Sequence, residues 1–479
     1  MKSNFVGSNW YMKKIVSPIQ LVMACCIFLQ WSCQSTHSDD DFTAYFGGEV
    51  EHPTSNKVFF CKDNEVIDTL YLDCQNRFFL KFDSLVPGLY SFKHEPEYQY
   101  VYFDKNDSLM VHINTVNFDN SIVFCGRGDQ KNNFLMDMYL RNERDKNSMF
   151  EVFDQPITPF INTIEKSFKA NKLFYEKKKK EINWSDSFDN IAKASFEYQY
   201  YTKKELYPII HEKRTGHSVQ NQLPSSFYRF RNQLNCNDES LTSYSPYVMY
   251  LTHMLNNLGD IPLKKNLSEA DLALKTSINK MRIADTLIKN QKVRAMLMEN
   301  VAFTYLLEDQ NMGNNQSFFE TYKKYVTDKA SENDILDLGS AIQKMKPGLP
   351  LPDILLFDRE GQKVHSSDVL NSKTVIFFWS TKSYSHMIAA HKKIMALRQR
   401  HPAYQFIAIN LDRSHGEFIQ ELAKYKFESI PEYRCADFED IHIKWAITKV
   451  HRTMVIDDHQ LIKNAFTNLF EVDFEKNLE

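Results

Sequence analysis

The sequence predicts a multidomain α+β chain: an N-terminal β-sandwich, a central α-helical region and a C-terminal α/β domain. Three observations lead there. Short apolar or alternating runs broken by turn residues extend from Ala44 to Phe124. Helical periodicity takes over from about Gln130 to Lys346. After a proline-rich linker, strands alternate with helices to the end of the chain. A chain of 479 residues also exceeds what one hydrophobic core usually serves.

Composition narrows the classes. With 43% hydrophobic, 25% charged and 14% aromatic residues and only 13 glycines, the chain reads as globular, not as disordered or low-complexity. A net charge of −3 without a basic domain gives no electrostatic case for nucleic acid. The basic run Lys177 to Lys180 lies among acidic and aromatic residues and is expected on a solvated helix face.

The first segment reads as targeting. Lys13 and Lys14 precede an apolar run from Ile15 to Leu29, which breaks at Ser32 and Cys33 before the polar stretch Gln34 to Asp41. This organisation is that of a secretory signal over residues 1–32, with Met12 as an alternative start and 33–43 as a linker. A cysteine directly after a small residue at the break resembles a bacterial lipobox, although Gln30 and Trp31 depart from its consensus. The resemblance implies that Cys33 is the lipidated first residue of an envelope lipoprotein anchored in a bilayer. Cys61, Cys74, Cys125, Cys236 and Cys435 have neither CxxC nor zinc-ligand spacing, so each is expected to be a small buried apolar residue.

The sandwich is expected over residues 44–126. Its strands are Val58 to Cys61, Val66 to Leu72, Phe78 to Phe82, Gly88 to Phe92, Tyr98 to Phe103, Ser108 to Ile113 and Ser121 to Phe124. Breaks at Lys62-Asp63-Asn64, Cys74-Gln75-Asn76 and Lys105-Asn106-Asp107 supply the turns.

Helices are expected over 127–346. Phe160, Ile164 and Phe168 recur every four residues, Phe188 and Ile191 follow a Ser-Asp-Ser start, and Ser268 is a candidate N-cap. The aromatic stretch Phe196 to Tyr207 is read as core packing rather than as a ligand platform.

Pro347 to Pro352 then opens the last domain, 347–479. Strands are expected at Asp353 to Phe357, Thr374 to Trp379, Phe406 to Leu411, Met454 to Ile456 and near Leu461 to Phe466. Helices are expected at about Ser385 to Arg400 and Gly416 to Tyr425. The run Val375 to Phe378 has the continuous apolarity of a strand buried on both faces.

These residues carry a resemblance. Leu349-Pro350-Leu351-Pro352-Asp353, then Lys373 to Thr381, then Ala408-Ile409-Asn410-Leu411-Asp412, is similar to the TlpA/ResA family of envelope thioredoxin-like proteins. The match covers roughly the last quarter of the chain, and the whole mature chain resembles lipoproteins of this type common in Bacteroidota. It implies a thioredoxin-like α/β domain. The family's strand runs into a CxxC motif, whereas this chain reads Ser383-Tyr384-Ser385-His386; its cis-proline is matched by His451. Disulfide exchange needs an activated thiolate and a resolving thiol, and Ser383 and His386 supply neither.

The expectation is therefore a degenerate site with no redox catalysis and no cofactor, in an envelope protein that binds or scaffolds a protein partner. Two further readings stay open at Ser383, His386 and His451. The paired imidazoles could nucleate a zinc or copper site, or a histidine could serve Ser383 as a hydrolytic nucleophile. Residual thiol-disulfide oxidoreductase activity is the remaining alternative.

Overall fold

The computed structural model describes residues 42–479 apart from 64, 95–96, 261–267, 309–311, 327–328, 371, 382, 413, 428–429, 448–449 and 472–473. The segment read as a signal, Cys33 and all but the end of the linker lie outside these residues. Among the described residues no helix is long and apolar enough to cross a membrane.

Eight strands open the described chain: β1 (Ala44–Glu51), β2 (Lys57–Lys62), β3 (Glu65–Tyr71), β4 (Arg77–Phe82), β5 (Gly88–His94), β6 (Glu97–Phe103), β7 (Ser108–Asn114) and β8 (Val123–Arg127). They form two four-stranded sheets, in the orders β4-β1-β7-β8 and β3-β2-β5-β6. Between them lies an aromatic core in which Phe46 packs against Phe60, Phe78, Phe92 and Phe103. Alternation explains why every second residue of β7 faces this core: Leu109, Val111 and Ile113 are buried while Met110 is exposed. Strand β1 was not anticipated, because Gly47 and Gly48 interrupt its apolar pattern. A Cβ on Gly48 would stand 2.2 Å from the Val111 carbonyl oxygen, so the glycine marks a close approach of β1 to its parallel partner β7.

The helices that follow are α1 (Asp129–Asn147), α2 (Ile157–Ile182), α3 (Asp186–Thr215), α4 (Ser245–Gly259), α5 (Glu269–Leu287), α6 (Gln291–Glu308), α7 (Met312–Tyr325) and α8 (Lys329–Lys344). Ser185 and Ser268 cap α3 and α5 by accepting the amides of Phe188 and Asp271, each leaving one fewer orphan donor in the first turn. The aromatic stretch of α3 is packed: Phe196, Tyr198 and Tyr207 are buried, and Tyr207 stacks on Phe160 at 3.9 Å. The basic run Lys177 to Lys180 lies on α2, where Lys178 pairs with Glu181 at 3.0 Å and Lys179 with Asp189 at 2.8 Å. Strand β6 binds the sandwich to the helices. The Asn132 side chain accepts the Tyr102 amide and donates back to its carbonyl, and the Tyr102 ring meets Phe188 edge-on at 5.0 Å.

The last segment contains β9 (Leu355–Phe357), β10 (Lys363–His365), β11 (Thr374–Trp379), α9 (Tyr384–Arg400), β12 (Gln405–Asn410), α10 (His415–Tyr425), β13 (Glu432–Cys435), α11 (Phe438–Trp445), β14 (Arg452–Ile456) and β15 (Ile462–Asn468). They build a seven-stranded sheet in the order β10-β9-β13-β12-β11-β14-β15. Its centre pairs β11 in parallel with β12 and antiparallel with β14, which in turn pairs antiparallel with β15. This is a thioredoxin-like arrangement. Strand β11 is buried on both sides, sending Val375, Phe377 and Trp379 toward α9 and α10 and Ile376 and Phe378 toward α11. Strands β10 and β13 went unread, since three or four residues give too short a pattern and Glu432 and Arg434 break the apolarity of β13; the eight-residue helix α11 also went unread.

The cysteines correct one expectation. Cys61 and Cys435 are buried, Cys236 is half-buried, but Cys74 and Cys125 are exposed; all five are free thiols. Cys125 falls on the outward face of edge strand β8, where its side chain cannot reach the sandwich core.

Candidate functional site

The site lies where β11 ends and α9 begins. The connecting turn hangs on Asp412, just beyond the neighbouring strand β12. Ser380 Oγ donates to Asp412 Oδ1 at 2.6 Å, the Thr381 amide donates to Oδ2 at 2.6 Å, and Asn410 Nδ2 donates to the same oxygen at 2.9 Å. A buried carboxylate with this many donors fixes the turn. Ser383 occupies the N-cap of α9, its amide donating to Ser380 O and its carbonyl accepting the Met387 amide at 2.9 Å. This is the position at which a helix N-terminus would lower a thiol pKa. Here it carries a hydroxyl, which makes no capping bond.

One turn into α9, His386 reaches across to His451, which immediately precedes β14. Their Nδ1 atoms are 2.9 Å apart and the ring planes are nearly perpendicular, at 89°. His386 Nε2 lies 3.1 Å from the Phe378 carbonyl oxygen. A carbonyl only accepts, so Nε2 carries the proton; in the neutral ring Nδ1 is then the acceptor, and His451 Nδ1–H donates to it. Burial and the neighbouring His451 hold the His386 pKa down at about 4, so the ring is neutral at physiological pH. Phe470 closes one side, its ring centre 5.8 Å from that of His386. The structure thus brings His386 and His451 together and leaves Ser383 outside the pair, with no hydrogen bond to either imidazole.

Arg452 holds the segment that carries His451. Its guanidinium donates to the carbonyl oxygens of Ala465 (2.7 Å), Ala446 (2.7 Å) and Trp445 (3.2 Å) and lies over the Phe466 ring. Among the described residues no carboxylate pairs with the guanidinium, and burial lowers its pKa to about 9. Arg452 thus ties the segment ahead of β14 to the end of α11.

A second group, unanticipated in the sequence, lies behind α9. Glu432 of β13 is fully buried; Trp379 Nε1 donates to its Oε2 at 3.0 Å, and His391 Nε2 stands 3.0 Å from its Oε1. His391 Nδ1 is 2.6 Å from the Met387 carbonyl, and the ring stacks on Phe427 at 3.7 Å. Burial raises the Glu432 pKa, opposed by His391, Trp379 and the Arg359 charge. A neutral pair satisfies every atom: Glu432 Oε1–H donates to His391 Nε2, and His391 Nδ1–H donates to Met387. The signal was present, since His391 falls on the apolar stripe of α9 with Met387, Ala390, Ile394 and Leu397.

The geometry limits the chemistry. Both nitrogens of His386 are engaged, so it is not placed as a base for Ser383. Among the described residues no group of three or more His, Cys, Asp or Glu side chains is placed to hold a metal ion. Cys435 is buried on β13, and burial pushes its thiol up to about 11, away from the thiolate range.

No protein-family profile and no curated protein matches the chain. Solved structures match about a quarter of it. A candidate thiol-disulfide oxidoreductase from Bacteroides vulgatus is 22% identical, covering 28% of this chain and 96% of its own, with a TM-score of 0.26. A domain of a possible thiol-disulfide isomerase from Cytophaga hutchinsonii is 22% identical over 28% of this chain and 95% of its own, with a TM-score of 0.25. The thioredoxin domain of a thiol-disulfide oxidoreductase from Bacteroides vulgatus is 16% identical over 24% and 85%, with a TM-score of 0.21. Part of the chain is thus similar to thioredoxin-like thiol-disulfide oxidoreductases, and the structure itself is of mixed α/β class, with several sheets and helices.

Proposed function

We propose that the chain is a cell-envelope lipoprotein whose thioredoxin-like domain has given up thiol chemistry for binding or scaffolding. The observation that carries the reading is the pair at the dithiol positions: Ser383 at the start of α9 and His386 hydrogen-bonded to His451. A hydroxyl cannot take the redox step, and an imidazole cannot resolve a mixed disulfide. The supporting frame is a turn rigidified by Asp412 and a loop clamped by Arg452, which keep the surface around His451 and Phe470 in one shape. An exposed His451 and a half-exposed Phe470 suit a protein partner that brings a hydrogen-bond acceptor and an apolar side chain.

Anchoring rests on the signal-like segment ending at Cys33. Cells fed an alkynyl fatty acid are expected to label the wild-type chain and not Cys33→Ser, and an unlabelled wild type contradicts the anchor. Insulin reduction by the full chain is expected to run no faster than with dithiothreitol alone. A rate matching that of an authentic thioredoxin overturns the reading.

A further inference from the structure

A cleft of about 190 Å³ lies where the sandwich meets the helices, lined by β6, α1, α3 and the start of α4. It is remote in sequence from Ser383, His386 and His451, and its walls are held by their own bonds. Tyr100 donates its hydroxyl to Ser243 O at 3.2 Å, accepts the Ser245 amide at 3.0 Å, and packs edge-on against the buried Tyr244. At the rim the Tyr98 ring is 49% exposed, so it offers a face to a ligand.

The polar groups of this cleft are only half used. Gln99 Oε1 accepts the Tyr100 amide at 2.7 Å, and its Nε2 donates to no protein atom among the described residues. Asn142 Nδ2 donates to Ser195 O at 2.9 Å, leaving Oδ1 likewise without a donor. Gln99 and Asn142 are each more than nine-tenths buried, at 6% and 7% exposure. The side-chain amide of Gln199 and the Ser245 hydroxyl, also in the lining, make no protein hydrogen bond among the described residues. An occupant that displaces water from these groups must replace its hydrogen bonds, which disfavours a purely apolar one.

We propose that this cleft binds a neutral, polyhydroxylated ligand of one pyranose unit, stacked on Tyr98 and hydrogen-bonded by Gln99, Asn142, Gln199 and Ser245. The lining offers both donors and acceptors, and vicinal hydroxyls suit it because each both donates and accepts. No net charge is called for, since Glu143 and Lys146 at the rim pair with each other at 2.5 Å. The volume is below the roughly 300–1,000 Å³ of sites that enclose drug-sized ligands, which suits a single sugar or the end unit of a glycan. Aromatic faces receive the C–H faces of sugars as they receive other apolar surfaces.

The test titrates the full chain with methyl glycosides of glucose, galactose, mannose and N-acetylglucosamine, and with their linear tetrasaccharides, by calorimetry and saturation-transfer NMR. At least one is expected to bind; a simple glycoside as good as its tetrasaccharide marks a free sugar, and a better tetrasaccharide marks a glycan end. Tyr98→Ala and Gln199→Ala are each expected to weaken that binding by about tenfold or more, with Gln199→Glu as a shape-conserving second variant and unchanged melting as the control for folding. Phe79→Ala, on the outer face of the sandwich, leaves it unchanged. Absence of binding by every sugar, or binding indifferent to Tyr98 and Gln199, overturns the proposal. So does a displayed peptide whose capture depends on Tyr98 and which no sugar displaces.

Discussion

His386 and His451 meet through their Nδ1 atoms at 2.9 Å, joining the first turn of α9 to the residue ahead of β14. The hydrogen bond is directional: the Phe378 carbonyl takes the Nε2–H of His386, which obliges His451 to donate. One imidazole is thereby fixed by backbone and the second by the first. The two rings are therefore a mutually oriented pair.

The His386 pKa of about 4, against 6.5 for the free side chain, makes this pair a pH-dependent contribution to stability. Between these values the unfolded chain binds the proton and the native chain does not, so the stability is present above about pH 6.5 and is lost as pH falls through 6.5 toward 4. Since the pair is partly solvated, the effect is expected to be about 1 kcal/mol. Histidine ring NMR should show His386 neutral as its Nε2–H form at pH 6, and His386→Asn should flatten this part of the stability profile. A His386 that titrates near 6.5 contradicts the geometry.

For Glu432 the sign is opposite. Burial raises its pKa, so its contribution is present below the unfolded value and lost as pH rises through the folded one. Glu432→Gln reproduces the protonated pair, with Nε2–H donating to His391 and Oε1 accepting from Trp379. Denaturant unfolding should find it at least as stable as wild type near pH 8. Glu432→Ala, which strands Trp379 and His391 around a void, should cost about 2–4 kcal/mol.

Arg452 is expected to be structural and irreplaceable by an apolar side chain. Arg452→Met leaves three carbonyl oxygens without their shared donor and should destabilise by about 2–4 kcal/mol. It should also broaden the His451 ring signals by freeing the segment ahead of β14. Full retention of stability and a sharp His451 signal would contradict the clamp.

Much of this was readable from pattern and some was not. The central strand Thr374–Trp379, helix α9 and the caps Ser185 and Ser268 announced themselves through apolar runs, periodicity and side-chain oxygens at helix starts. Strand β1 did not, because two glycines erased its alternation, and β13 did not, because Glu432 belongs to a buried pair whose partner is 41 residues away. The meeting of His386 with His451 was suggested in the sequence only by a resemblance and not by any local spacing. The buried pair and the cleft beside Tyr98 depend on tertiary neighbours that no local spacing encodes.

The glycines of β1 make their own prediction. In most strands Gly→Ala is stabilising by roughly 0.5–1 kcal/mol. At Gly48 the new methyl would collide with the Val111 carbonyl, so Gly48→Ala should instead destabilise by about 2–3 kcal/mol in thermal or denaturant unfolding. A neutral or stabilising outcome would refute the close approach of β1 and β7.

The most direct measurement is a count of alkylatable thiols in the full chain after equilibration across about −120 to −270 mV, the range in which thioredoxin-fold dithiols titrate. With a hydroxyl at Ser383 and an imidazole at His386 at the start of α9, the number is expected to stay constant across that range. Loss of two thiols with a single midpoint would show a working dithiol in this chain and contradict the account.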